Sequence, residues 1–95
     1  MATVTFGDDF EWDDAKAAAN VRKHRGVSFV EAVSALADAS AVEYADTGHA
    51  DRLLTLGMSG RARVVLVVTT EAAERTRIIS ARRATATERM IYEEG

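Results

Sequence analysis

The chain has 95 residues, of which 47% are hydrophobic, and this is enough for one domain, residues 1–95, with a single core. It has no cysteine, no apolar run of roughly 20 residues and no signal-peptide pattern, so we expect a soluble, cytoplasmic protein without disulfides or a membrane span. The net charge of −3 argues against general nucleic-acid binding, although a local cationic patch governs phosphate binding more than the total charge does.

The first half of the chain predicts one strand and two helices. Phe6–Trp12 alternates apolar and polar residues, which favours a short strand or an extended entry. Asp13 can cap a helix that runs to about Arg25, because alanines are frequent there and a glycine follows. Ser28 and Glu31 have the spacing of a capping box, and the apolar stripe behind them predicts a second helix.

The second half predicts strands and a closing helix. Ala41–Ala45 and Arg52–Met58 are expected strands, and a tight connection after the second of these predicts an antiparallel hairpin. Val64–Thr70 is continuously apolar and β-branched, which is typical of a central strand. Arg75–Ser80 is the last expected strand, and a capping box at Thr85 opens a short helix. This order of elements predicts an α+β domain.

One face of the first predicted helix carries candidate phosphate-binding residues. Lys16, Asn20 and Lys23 are spaced at i, i+4 and i+7, so they project from one side. Two cations and an amide in a row suit phosphates, whereas the alternative is an ordinary solvated face. His24 follows near the helix C-terminus, where the dipole favours its protonated form. It is a candidate general acid or base, or alternatively only a helix cap.

The last predicted strand and its exit carry Arg75, Arg77, Arg82 and Arg83. Arginine makes planar, bidentate contacts with phosphate, and the alternative is salt bridging to nearby glutamates or to a partner. The only tryptophan, Trp12, suits base stacking, but we favour a core position for it.

Several catalytic chemistries have no motif in this sequence. There is no glycine-rich phosphate loop, nucleophile elbow or HExxH motif, and no carboxylate pairing typical of a two-metal nuclease. We therefore expect no cofactor and no metal. RNA cleavage would then proceed by attack of the 2′-hydroxyl on the adjacent phosphate, with cations stabilising the transition state.

Several short segments form a pattern by their order and spacing: Phe10–Asp13, Lys16, Asn20, Lys23-His24, Gly26–Phe29, Arg52–Gly57, Arg77–Ala84, Glu88-Arg89 and Tyr92-Glu93. In this order and spacing they resemble the BrnT family of bacterial toxins, which are RelE-like ribonucleases. The resemblance implies two N-terminal helices packed on a small antiparallel β-sheet with a short C-terminal helix. It implies a toxin that inhibits translation by cleaving RNA and that a BrnA-like ribbon-helix-helix antitoxin neutralises. Contact with DNA would be indirect, through the antitoxin, and no membrane is involved.

The resemblance also implies a site where the first helix meets the last strand. We infer that His24 transfers a proton and that the cations clamp a phosphate. Arg25 departs from the Lys-His-Gly-Val pattern of the family, and we expect this insertion to lengthen the turn and to change the direction of His24. This insertion and the net charge of −3 favour one alternative, a weak or inactive homologue that acts as an antitoxin-binding co-repressor. A second alternative is a protein that binds RNA without cleaving it. The implied catalytic residues are Lys23, His24, Arg77, Arg82 and Arg83, and the implied RNA-binding residues are Trp12, Lys16, Asn20 and Arg52.

Overall fold

Six strands form one mixed sheet in the computed structural model, which describes residues 2–95. The strand order is β1-β2-β6-β5-β4-β3. Neighbouring strands are antiparallel except β2 and β6, which are parallel. Within residues 2–95, no helix has the length and apolar content needed to cross a membrane. The elements in chain order are β1 (Thr3–Phe6), β2 (Phe10–Asp13), α1 (Asp14–Lys23), α2 (Phe29–Leu36), β3 (Val42–Ala45), β4 (Arg52–Met58), β5 (Val64–Glu71), β6 (Thr76–Arg83) and α3 (Ala86–Glu94).

The predicted architecture, two leading helices on a small antiparallel sheet, is wrong. A β-hairpin of β1 and β2 precedes both helices, with Gly7 in the left-handed conformation (φ +62°) in its turn. The predicted segment Phe6–Trp12 covers part of this hairpin as one extended element, because four-residue strands are too short to show a clear period. β2 then pairs in parallel with β6 through Phe10 and Glu11. No local pattern encodes that distant pairing, which makes the sheet mixed and six-stranded.

The two faces of the sheet are covered by different helices. The apolar run of β5 lies between β4 and β6, so the expectation of a central strand is confirmed. α1 and α2 lie on the face that contains Val65, Val67 and Ile78. α3 lies on the opposite face, where Tyr92 packs against the cluster that includes Leu66.

A β-bulge in β6 decides which face its arginines occupy. Val68 pairs with Ser80 and Thr69 pairs with Ile78, so one extra residue is inserted in β6. Thr70 and Leu66 share the α3 side of β5, and their partners in β6 are Arg77 and Arg82. The bulge therefore places these two arginines on the same face, although they are five positions apart in the sequence.

The helix caps follow the sequence pattern with one difference. The Ser28 hydroxyl accepts the Glu31 N–H at 3.0 Å, as predicted. The Glu31 carboxylate does not complete a capping box, because Arg63 binds both of its oxygens at 2.7 Å. At the start of α3 the predicted box is complete, with Thr85 and Glu88 each bonding the other's backbone N–H.

Candidate functional site

A cavity of about 400 Å³ opens where the C-terminal end of α1 meets the end of β6. β2 pairs with β6 only as far as Arg77, so the rest of that strand edge faces α1. The register places Arg82 on the α3 side of the sheet and Arg83 on the α1 side. Four of the lining residues are lysine or arginine, which makes the cavity suited to an anion. The lining residues are Lys23, His24, Arg25, Arg82, Arg83 and Thr85.

Asn20 fixes α1 against the strand edge. Its side chain is inside the fold, 6% exposed. Nδ2 donates to the carbonyls of Ala81 (2.8 Å) and Val27 (3.0 Å), and Oδ1 accepts the Ala81 N–H (3.2 Å). The amide thus replaces the neighbouring strand that β6 lacks at this point. Asn20 therefore lies in a buried, structural position, whereas its spacing from Lys16 and Lys23 predicted that all three side chains project from one face as candidate phosphate contacts.

His24 is the C-cap residue of α1 and is half-buried at the cavity wall. Burial lowers the pKa of His24 below 6.5, and the positive charges of Lys23 and Arg82 lower it further. The helix dipole was expected to favour protonation, but desolvation and the two cations oppose it. Both effects favour the neutral imidazole, which can accept a proton.

Arg82 is held by a carboxylate from α3. It donates from Nη1 to Glu88 Oε1 (2.8 Å) and from Nη2 to Oε2 (2.9 Å), a bidentate pair. The hydrogen bonds from Arg82 are the first cause of the lowered pKa of Glu88. Salt bridging was one of the two roles left open for this arginine, and the structure contains that salt bridge. The guanidinium is fixed at the cavity wall.

Arg77 does not line the cavity, although it lies on the same face of β6 as Arg82. It forms a short ion pair with Glu11 of β2. Arg52 pairs across the sheet with Thr70, and Thr70 pairs with Arg77, so the two arginines belong to one row on the α3 side. Arg52 borders a separate cavity at that end of the sheet.

The remaining predicted contact residues lie away from the cavity. Trp12 is 6% exposed, in the core. Its ring stacks on Phe6 at a centroid separation of 5.6 Å and meets the edge of Phe29 at 5.8 Å. The core position favoured for this tryptophan is confirmed. Lys16 is exposed near the start of α1 and is not among the lining residues.

Three cations of the cavity differ from Arg82 in their pairing. Lys23, Arg25 and Arg83 form no ion pair with any carboxylate of residues 2–95. They are therefore available to an external anion. Over the same residues, no cluster of His, Asp or Glu side chains has an arrangement that holds a metal ion.

Arg25 at this site and Tyr44 beside it were not predicted from the sequence as site residues. Arg25 was considered only as an insertion. It follows His24 and precedes Gly26, and a glycine at a helix end indicates a tight turn. That pattern indicates that Arg25 lies at the end of the helix with His24. Tyr44 lies on the α3 side of the sheet near the Arg82–Glu88 pair. Its pKa is raised by burial first and by the charge of Glu88 second. No local signal in the sequence indicates that proximity.

Fold and site together define a small protein with a six-stranded mixed sheet and three helices, whose cationic cavity lies beside a histidine of lowered pKa, an arrangement suited to binding phosphodiesters. A family profile described as "Ribonuclease toxin, BrnT, of type II toxin-antitoxin system" matches residues 12–88. The chain belongs to this family, as the resemblance predicted.

A solved structure supports the same assignment. The 1.1 Å crystal structure of the Brucella abortus ribonuclease toxin BrnT is similar to this chain with a TM-score of 0.63 and 26% sequence identity. The match covers 78% of this chain and 92% of that one. A search of curated proteins found no match. The predicted class, a ribonuclease toxin of a toxin–antitoxin system, is therefore confirmed at the level of the family.

Proposed function

We propose that this protein is a metal-independent endoribonuclease that inhibits translation in the cytoplasm and acts at the cavity between α1 and β6. The observation that carries the proposal is the convergence of Lys23, His24 and Arg83 there. It combines a histidine of lowered pKa with two cations that no carboxylate of residues 2–95 neutralises. Membership in a family of ribonuclease toxins supports the same reaction class.

The reaction uses only groups of the chain and the substrate. Neutral His24 takes the proton of a ribose 2′-hydroxyl, and the 2′-oxygen forms a bond to the adjacent phosphorus. Lys23 and Arg83 bind the non-bridging oxygens, whose negative charge grows in the pentavalent transition state. The bond from phosphorus to the 5′-oxygen breaks, and that oxygen takes a proton from solvent. The products are a 2′,3′-cyclic phosphate and a 5′-hydroxyl, and His24 later returns its proton to solvent.

The paired arginines have supporting roles in this proposal. Glu88 orients Arg82, whose charge adds to the effects of burial and Lys23 in lowering the pKa of His24. Arg52 and Arg77 lie in one row along the α3 side of the sheet, where RNA that leaves the cavity would run. Arg77 would contact RNA there only by sharing its charge with Glu11. Lys16 adds charge on the exposed side of α1. We assign Trp12 and Asn20 to the fold instead, because both are buried.

Cleavage by the purified chain tests the proposal. A fluorescent oligoribonucleotide is incubated with the protein in EDTA, and single-turnover rates are compared with those of His24→Ala and of Arg22→Ala. Arg22 is exposed on α1 and does not line the cavity, so it is a matched control. We expect wild-type and control cleavage, and a loss of about 10²–10⁴-fold in His24→Ala. A wild-type rate in His24→Ala would remove the proton-transfer role.

We also propose a BrnA-like ribbon-helix-helix antitoxin as the partner, through which the complex would contact DNA. Expression of the chain alone should arrest growth, and co-expression with the product of the adjacent gene should restore it. Harmless expression of soluble protein that still binds the antitoxin would instead support the co-repressor alternative.

A further inference from the structure

Arg25 has a backbone conformation that arginine rarely adopts. Its φ is +54°, in the left-handed region, and Gly26 follows with a φ of +87°. In that region the Cβ of an L-residue crowds the following carbonyl oxygen, so glycine is favoured and other side chains are disfavoured. The strain therefore falls on a residue with a long charged side chain.

The end of α1 requires this conformation. His24 is the C-cap residue, and the Gly26 N–H donates to the Val21 carbonyl at 2.9 Å. This is the long hydrogen bond of a Schellman motif, in which the residue after the C-cap is left-handed and is most often glycine. The backbone requirement alone explains a glycine at position 25, and it does not explain an arginine there.

The cavity supplies a reason for the arginine. Arg25 lines it together with Lys23 and Arg83, and none of the three forms an ion pair with a carboxylate of residues 2–95. A phosphodiester carries one negative charge, for which Lys23 and Arg83 already provide two cations. A third cation in the same cavity matches a second phosphate. Residues held in disfavoured backbone conformations cluster at binding and catalytic sites.

We propose that Arg25 binds the phosphate next to the scissile one in single-stranded RNA. The inference rests on the proposed ribonuclease function and adds a substrate-binding residue to it. Arg25 contacts substrate without taking part in proton transfer. Its removal is expected to weaken RNA binding and to raise KM more than it lowers kcat.

Binding of a 2′-O-methyl oligoribonucleotide, which lacks the attacking hydroxyl, tests the inference without cleavage. Fluorescence anisotropy is recorded over a series of salt concentrations for the wild type, Arg25→Gly, Arg25→Lys and the control Arg22→Ala. Arg25→Gly removes the charge and suits the left-handed backbone, so its melting temperature should equal or exceed that of the wild type. The negative slope of the logarithm of the association constant against the logarithm of the salt concentration should become shallower by about 0.7, the value for one phosphate contact on a single strand. Arg25→Lys and Arg22→Ala should keep the wild-type slope.

The outcomes separate the inference from the function on which it rests. Unchanged affinity and slope in Arg25→Gly would overturn the inference and leave Arg25 as a helix-end residue only. Binding by the wild type without cleavage of unmodified RNA would overturn the ribonuclease proposal and leave phosphate binding by Arg25 in place. No binding by the wild type would overturn both.

Discussion

Replacement of Asn20 by alanine perturbs the junction that places the end of α1 against β6. The amide makes three hydrogen bonds of 2.8, 3.0 and 3.2 Å to the backbone of Ala81 and Val27. Alanine removes all three and leaves the Ala81 N–H and C=O without these partners. Since β2 does not extend to this part of β6, the sheet offers no replacement on that side.

The expected loss of stability follows from these bonds. Three buried hydrogen bonds at about 1 kcal/mol each contribute roughly 3 kcal/mol. The higher helix propensity of alanine offsets about 0.5 kcal/mol. The free energy of unfolding should therefore fall by about 2–3 kcal/mol, a large part of the roughly 5–15 kcal/mol that stabilises a typical domain.

Urea denaturation followed by tryptophan fluorescence measures the change, because Trp12 is the only tryptophan and lies in the core. Lys16→Ala, an exposed change on the same helix, serves as the control and should shift stability by less than about 0.5 kcal/mol. Suppose that Asn20→Ala keeps wild-type stability but binds RNA poorly. The positioning role would then be refuted, and the direct RNA contact predicted from the sequence would be supported.

Three further predictions concern pH and packing. The value of kcat/KM should rise with pH through a pKa below 6.5, because burial and then Lys23 lower the pKa of His24. Lys23→Gln should move this inflection to higher pH. An inflection above 6.5 in the wild type would contradict the prediction. The pKa of Glu88 is lowered, first by the hydrogen bonds from Arg82. The ionised carboxylate therefore contributes fully to stability above pH 4.5, the ordinary pKa of a glutamate, and this contribution is lost as the pH falls through the lowered pKa. Glu88→Gln should remove that part of the acid dependence in urea denaturation, and an unchanged profile would count against the pair. A Cβ at Gly57 would lie 2.2 Å from the Ala35 carbonyl oxygen. Gly57→Ala should therefore lower the free energy of unfolding by about 1–3 kcal/mol or more, which thermal denaturation measures. A wild-type melting temperature would be inconsistent with the packing of α2 on β4.

Local sequence patterns predicted the elements better than their arrangement. The bounds Arg52–Met58 and the capping box at Thr85 agree with the structure, because both depend on neighbouring residues. The parallel pairing of Phe10 with Thr76 joins distant segments, so no local period indicates it. The predicted last strand stopped at Ser80, whereas β6 continues to Arg83. The bulge in β6 also interrupts the alternation of faces, which no local pattern indicates.

The candidate site was predictable only in part, because some of its contacts join segments that are distant in the sequence. The resemblance placed Lys23, His24, Arg82 and Arg83 together, and the structure brings these four to one cavity. It also included Arg77, which the structure places outside that cavity beside Glu11. Which arginines are paired with carboxylates depends on tertiary contacts between β2, β6 and α3. Composition and spacing carry no information about those contacts.

The chemical nature of the RNA ends tests the central claim most directly. An oligoribonucleotide of defined sequence is cleaved by the purified chain in EDTA, and mass spectrometry identifies the new termini. Attack by the 2′-hydroxyl at the cavity predicts a 2′,3′-cyclic phosphate and a 5′-hydroxyl, with the yield abolished in the double variant Lys23→Ala, Arg83→Ala. A 5′-phosphate with a 3′-hydroxyl, or cleavage that requires an added divalent metal, would contradict the mechanism.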